Sequence, residues 1–505
     1  MQNNTASWWF RDAGMRKLSV ALLTGWMGSV ALGFDNSLTP GLLSNPLFVP
    51  ALGITDANIL GLVLASTLLG GIPGLFLASY TCDRFGRRFN IATACVIIIA
   101  GAIVQALTTG GFRLMAGKIV VGFGTSFQSV ASGPYVAEIA HPRNRPQVTA
   151  LVLTFYYAGS VIAAWTTYGT LVNMSGDWSW RLPLLLQAAP SAVILSLVFF
   201  IPESPRWLFA KGRADEAHAI LAKYHANGQM DDELVLHELS EIRLALEMEN
   251  SANAVRYRTF LSTKGNKHRL FILIFTGVLA QWVGNGIITN YLPFILVSVG
   301  ITSPADQTLF NGGLQIWNWI AATGSALACE RLGRRFLWLV SATGMLCCFV
   351  IITACSAVYA QRGDTGAGKA VLAFLYIYFG FYDCAFTSMT YVYLLEILPY
   401  SLRTKGFAIF NLSTYVAAFF NIYVNPIALE KIAWKYYFVF IGMNIVAVIA
   451  IYFGYPETKG RILEEVAEIF DGPSAIVDTD PIGASVDPDD EVKGVKEEVE
   501  YRERV

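Results

Sequence analysis

The residues with most chemistry to offer are charged groups set in a strongly apolar chain. Asp35, Lys118 and Asp383 lie inside long apolar segments. A charge at the middle of a bilayer costs about 2.5–3.5 kcal/mol on insertion scales, so each needs a partner or a task. A second set is arranged in repeats. Asp83-Arg84-Phe85-Gly86-Arg87-Arg88 links two apolar segments, and Glu330-Arg331-Leu332-Gly333-Arg334-Arg335 does the same about 250 positions later. Glu138 with Arg145 recurs as Glu396 with Arg403, and Pro202-Glu203-Ser204 recurs as Pro456-Glu457-Thr458. Carboxylates and guanidinium groups at neighbouring helix ends form charge-assisted hydrogen bonds. The expected cytoplasmic charge gate is Arg87, Arg88, Glu138, Arg145 and Glu203 in one half and Arg334, Arg335, Glu396, Arg403 and Glu457 in the other. Such networks hold two bundles shut on the inside and break as they open. No nucleophile–base pair, metal-ligand spacing or phosphate-cradling Gly-x-x-x-x-Gly-Lys-Ser/Thr loop is visible. The chain therefore reads as no enzyme, with no metal, no cofactor and no ATP drive.

The elements that must position these residues are membrane helices. Of 505 residues, 54% are hydrophobic and 14% charged, against about 25% charged in an ordinary soluble domain. The mean hydropathy is +0.48. A net charge of −1 implies no nucleic-acid partner. Apolar segments of the ~20 residues that a bilayer demands fall at 18–38, 59–79, 90–108, 114–136, 148–171, 182–201, 271–292, 308–329, 336–358, 370–392, 407–428 and 436–454. Half precede the polar stretch 202–269 and half follow it. A duplicated set of apolar helices is the pattern of a secondary transporter. Most of the 36 Lys and Arg lie on one side if both termini are cytoplasmic, as the positive-inside rule asks.

The expected fold class is an all-α polytopic membrane protein with twelve transmembrane helices in two six-helix bundles and a cytoplasmic helical linker. Its divisions are a cytoplasmic N-terminus at 1–17, a bundle at 18–201, the linker at 202–269, a second bundle at 270–456 and an acidic cytoplasmic tail at 457–505. Within the linker, Asp215 to Tyr224 and Glu233 to Met248 have helical apolar spacing. The chain after Phe470 lacks that periodicity and reads as disordered. Met1 to Lys17, which includes Trp8, Trp9 and Arg11, lacks the apolar core of a signal peptide. The seven cysteines read as small buried hydrophobes. All five histidines fall in cytoplasmic segments, which excludes a histidine relay in the membrane. Asn173-Met174-Ser175, in an outside loop, is a glycan acceptor tripeptide.

Taken together, the motifs resemble the sugar porter family of the major facilitator superfamily. The carriers are Asp83 to Arg88, Glu138 with Arg145, Pro202-Glu203-Ser204-Pro205-Arg206, Glu330 to Arg335, Glu396 with Arg403, and Pro456-Glu457-Thr458-Lys459-Gly460-Arg461 followed by Leu463-Glu464-Glu465. Gln281-Trp282 with Gly284-Asn285-Gly286, and Tyr423-Val424-Asn425-Pro426, look like the fungal lactose and hexose permease branch. The resemblance implies alternating access, a sugar or related polyol as substrate, protons as a second partner, and a monomer in the plasma membrane. It implies that Asp35 and Lys118 form the proton-linked pair, with Lys where the family usually has Arg. Protonating Asp35 would then release Lys118 and free the helices to rearrange. Passive uniport, metabolite export and a transport-like sugar receptor remain as alternatives.

Sugar recognition needs amides and hydroxyls in a cavity, with aromatic faces for the sugar's C–H surface. Gln281, Trp282, Asn285, Asn290, Tyr291, Asn318, Tyr391 and Thr414 are the candidate contacts. By resemblance Gln281 matches a sugar-binding glutamine, Asn290 and Tyr291 match an outer-gate pair, and Asn318 and Tyr391 match a polar and an aromatic contact. The sequence also departs from the family. Ala280 and Gly286 stand where amides are usual in span 7, Leu153 and Ser160 lie near the span-5 glutamines, and Ser388 replaces a proline. The pocket has fewer hydrogen-bond donors than a standard glucose site, which leaves room for a disaccharide, a polyol or a less polar metabolite.

Overall fold

The computed structural model describes residues 12–253, 257–387, 389–459 and 463–471. Residues 1–11, 254–256, 388, 460–462 and 472–505 lie outside that set, as do the expectations placed on them, among them those for Ser388, Gly460 and Arg461. Among the described residues the chain is helical and contains no strand. The first half holds α1 (Ala13–Ser44), the short α2 (Phe48–Ala51), α3 (Ala57–Phe85), α4 (Arg87–Ala106), α5 (Gly111–Ile139), α6 (Arg145–Asn173), α7 (Trp178–Leu186) and α8 (Ala188–Leu197). Three helices follow: α9 (Pro205–Ala210), α10 (Ala214–His225) and α11 (Glu233–Asn253). The second half holds α12 (Lys264–Trp282), α13 (Asn285–Ser298), α14 (Pro304–Leu332), α15 (Arg334–Arg362), α16 (Thr365–Tyr382), α17 (Thr390–Ile397), α18 (Arg403–Ile432) and α19 (Tyr437–Gly454), with α20 (Leu463–Asp471) at its end.

Each apolar segment of the sequence falls on one of these helices or on a broken pair. Their starts are capped by side chains that satisfy otherwise unpaired N–H groups. Asp12, Asp56, Ser204, Thr263, Ser303 and Asp364 each accept from a backbone N–H in the first turn of the following helix. Breaks are local. Gln187 separates α7 from α8, Gly284 at φ 114° separates α12 from α13, and a π-turn over Asp383–Thr387 separates α16 from α17. By length and hydropathy alone, eight helical runs among the described residues qualify as membrane spans, and the last, Arg403–Gly454, contains both α18 and α19. α5, α6 and α14 are as long but fall outside that set. They carry polar residues such as Gln128, Ser160 and Asn318, which are buried and which lower the hydropathy of these helices.

In the first half, α1 lies backbone to backbone on α6 where Gly33 meets Tyr156 and Gly159 meets Val30. α3 meets α5 in the same way at Gly70 and Gly122. Small residues permit this approach where no hydrophobic effect drives helices together. The second half packs around aromatic residues, with Trp338 against Phe386, Tyr393 and Tyr455. The two halves touch along α3–α18 and α6–α14. These contacts include the ends remote from the Gly-Arg-Arg links. Gly61 meets the Tyr423 carbonyl and Pro426, and Gly312 meets the Trp165 indole.

The helices between the halves are fastened to the first one. Asn227 accepts from the Gly14 N–H at 2.8 Å and donates to Asp12 at 2.9 Å. His225, fully buried, bonds Glu238 at 2.6 Å and the Ile139 carbonyl at 3.1 Å. At the other end α20 docks on α12, where Asp471 pairs with buried Arg269 at 2.7 Å and the Phe470 ring lies 4.5 Å from its guanidinium.

Candidate functional site

Gly86 and Gly333 sit at φ 97° and 93°. Side-chain-bearing residues rarely adopt that region, and a Cβ at Gly86 would run into the Glu203 carboxylate. Each glycine ends one helix and starts the next, so the N–H groups of the new helix point at a carboxylate. Glu203 accepts from the N–H groups of Arg87, Arg88 and Ser204 at 2.9–3.2 Å. Glu457 accepts from those of Arg334, Arg335, Thr458 and Lys459 at 2.9–3.1 Å.

The side chains repeat as faithfully. Arg87 grips both oxygens of Glu138 at 3.0 Å, and Arg334 pairs with Glu396 at 2.9 Å. Ser204 and Thr458 donate to the second oxygen of the same acids at 2.6 and 2.5 Å. Arg88 and Arg335 donate to the carbonyls of Phe199 and Tyr452, and Tyr135 and Tyr393 to those of Pro202 and Pro456. Two corrections to the expected gate follow. Each cluster lies within its own half, so the pairs seen here staple helices of a single bundle together and do not bridge the two bundles. Arg145 pairs with Glu238 of α11 at 3.3 Å and not with Glu138. Arg145 and Arg403 do share a role, each donating to a helix-end carbonyl, that of Ala140 or Leu398.

Asp35 sits on α1, partly buried, and Gln187 donates a short hydrogen bond to its carboxylate. Lys118 of α5 is 7% exposed. The two charges act on each other through space, without the direct ion pair expected between them. Gln187 is the partner that sequence reading missed. A lone glutamine in an apolar run gives no sign of which helix it will meet.

In the second half the polar candidates line the broken α12–α13 segment. Asn285 donates to the Tyr382 hydroxyl at 3.0 Å and accepts from Thr289 at 2.8 Å. The Trp282 indole donates to the Ala417 carbonyl at 2.9 Å, and the fully buried Tyr291 donates to that of Ile422 at 2.6 Å. Those two tie α12–α13 to α18. Asn290 and Thr414 bond carbonyls of their own helices, those of Gly286 and Phe410. Gln281 is partly buried, and Tyr391 is 47% exposed and stacks on Phe407. The Asn421 amide of α18 fills the space in front of Gly286. An amide thus stands near the place the family's asparagine would reach, supplied by another helix.

At the middle of the molecule the halves share a buried hydrogen bond. Tyr157 of α6 donates to Asp383 at 2.8 Å, and Thr387 donates to the same oxygen at 2.7 Å. Asp383 opens the π-turn and is 1% exposed. Tyr156, T-shaped against Tyr157, lies within electrostatic reach of both Asp35 and Asp383. Asp383 announces itself as a charge in an apolar segment, whereas Tyr157 carries no such signal.

Comparison with known proteins agrees with this geometry. The family model described as Sugar (and other) transporter matches residues 26–470. The chain is 28% identical over 461 residues to the MFS-type transporter oryC of Aspergillus oryzae, covering 89% of this chain and 85% of that one. It is 26% identical over 470 residues to the high-affinity glucose transporter 1 of Candida albicans, covering 90% and 85%. In fold it is similar to the xylose transporter XylE of E. coli in its inward-open conformation. That match has a TM-score of 0.75 at 22% identity and covers 90% of this chain and 100% of that one.

Proposed function

This chain belongs to the Sugar (and other) transporter family, and from that premise we propose that it is a sugar–proton symporter working by alternating access. The family and its relatives are transporters and not enzymes. The proposed setting is the plasma membrane, as a monomer, with both termini and the Gly-Arg-Arg links on the cytoplasmic side. In that frame the contacts at Gly61 and Gly312 close the outer end, and the arrangement is inward-facing. Exposed Asn173, the last residue of α6, lies on the outer side, open to a glycan.

The observation that carries the coupling is Asp35. Its carboxylate is held by Gln187 and faces the field of buried Lys118. While ionised, it draws both groups toward α1. Protonation removes the charge, weakens both attractions and lets the bundles change places around the sugar. The Candida albicans relative is a glucose transporter, and XylE is a proton:xylose symporter. The sugar would be held by Gln281, Asn285 and Asn318, with Tyr391 as an aromatic face. The two charge clusters keep each bundle rigid, so the motion is a rocking of whole halves. One proton moving down 100 mV releases about 2.3 kcal/mol, enough for roughly 50-fold accumulation.

Asp35→Asn tests this. Symport requires that the variant lose accumulation and keep exchange of labelled for unlabelled sugar across the membrane. A variant that still accumulates sugar contradicts it. A second reading, passive uniport, is favoured by the absence of a direct Asp35–Lys118 pair. In that case Asp35 is an anchor for Gln187, and the wild-type chain only equilibrates its substrate.

A further inference from the structure

Asn311, Gln315 and Asn318 occupy positions i, i+4 and i+7 of α14 and so share one face. They are 2%, 7% and 5% exposed. Gln315 donates to Asn311 Oδ1 at 3.2 Å. Asn311 Nδ2 and Asn318 Oδ1 are buried with no hydrogen-bond partner. Leaving a buried amide group unpaired is costly, so two along one stripe call for a ligand-side explanation. The same face continues to Ser325, whose hydroxyl donates to the Asp383 carbonyl at 3.0 Å. The stripe thus runs from the shared centre toward the α14 end remote from the Gly-Arg-Arg link.

We propose that Asn311 and Gln315 form a second hydroxyl-binding subsite in line with Asn318, and that the substrate is a disaccharide or a glycoside of similar length; this rests on the sugar-transport reading. Asn311 lies about 10 Å beyond Asn318 along the helix axis, at 1.5 Å per residue. A carboxamide both donates and accepts, as paired sugar hydroxyls require. Asn311 Nδ2 donates to a hydroxyl oxygen of the outer ring, and Asn318 Oδ1 accepts from a hydroxyl of the inner one. The donor missing at Ala280 is compensated further along α14.

The test uses the full chain in transporter-deficient yeast, with labelled glucose, lactose, maltose and sucrose. At least one disaccharide is expected to compete for uptake at lower concentration than its constituent monosaccharides. Asn311→Leu is expected to raise that disaccharide's half-saturation constant about tenfold more than it raises that of glucose, whereas Asn318→Leu raises both together. Wild-type competition in which every disaccharide ranks below glucose overturns the proposal without reliance on any variant. An Asn311→Leu effect equal on both sugar classes also overturns it. Transport of no sugar at all defeats the transport reading itself, a different outcome from a preference for glucose.

Discussion

Glu203 and Glu457 occupy repeated positions and accept matching N–H groups, yet their ionisation is pushed in opposite directions. Burial raises Glu203 above its ordinary 4.5, with the N–H groups of Ser204, Arg88 and Arg87 offsetting only part of it. Burial also works against ionised Glu457, but four N–H groups outweigh it and hold that acid below 4.5. The signs differ accordingly. Glu457 stabilises the fold above pH 4.5, and that contribution is lost as pH falls through its lowered value. Charged Glu203 costs stability, so its contribution declines as pH rises from 4.5 through its raised value. Thermal unfolding of purified protein should show Glu457→Gln less stable by about 1–3 kcal/mol at neutral pH, converging with wild type on acidification. Glu203→Gln should lack the decline that sets in above pH 4.5. Identical pH profiles for the two variants would contradict this. Both acids were legible from the repeat Pro-Glu-Ser and Pro-Glu-Thr. Their role as helix-start acceptors was not, because it depends on which N–H groups a glycine turn leaves facing them.

At the scale of elements, helix positions follow from apolar length and capping residues, and helix partners do not. The gate illustrates the limit. Repeats expose pairs, so sequence brings Arg87 and Glu138 together, and the structure joins them inside one bundle. Arg145 meets Glu238 because α11 folds back beneath α6, which spacing along the chain cannot express. One direct tie between the bundles' interiors is Tyr157 of α6 with Asp383 at the π-turn after α16. A hydrogen bond to a carboxylate is worth about 1.5–3 kcal/mol, so its loss should shift the inward–outward equilibrium roughly 10- to 100-fold. Tyr157→Phe, read by labelling of single cysteines placed in the outer and inner vestibules, should raise outer accessibility and lower inner accessibility. Unchanged labelling on both sides would show that this bond does not hold the inward-facing arrangement.

For the whole molecule, duplication is the organising fact. Two halves built alike, each stapled by its own Arg–Glu cluster, meet along α3–α18 and α6–α14, with Tyr157 hydrogen-bonded to Asp383 across them. Rigid halves that pivot about a central polar site are a machine for exposing that site to one side at a time. On the proposed symport reading, the proton and the sugar give the motion its direction. The most direct measurement is uptake of labelled mono- and disaccharides into transporter-deficient cells expressing this chain, with and without a proton uncoupler. Proton symport predicts accumulation above equilibrium that collapses when the uncoupler is added. Uptake that only reaches equilibrium and ignores the uncoupler, or no uptake of any sugar, would contradict it.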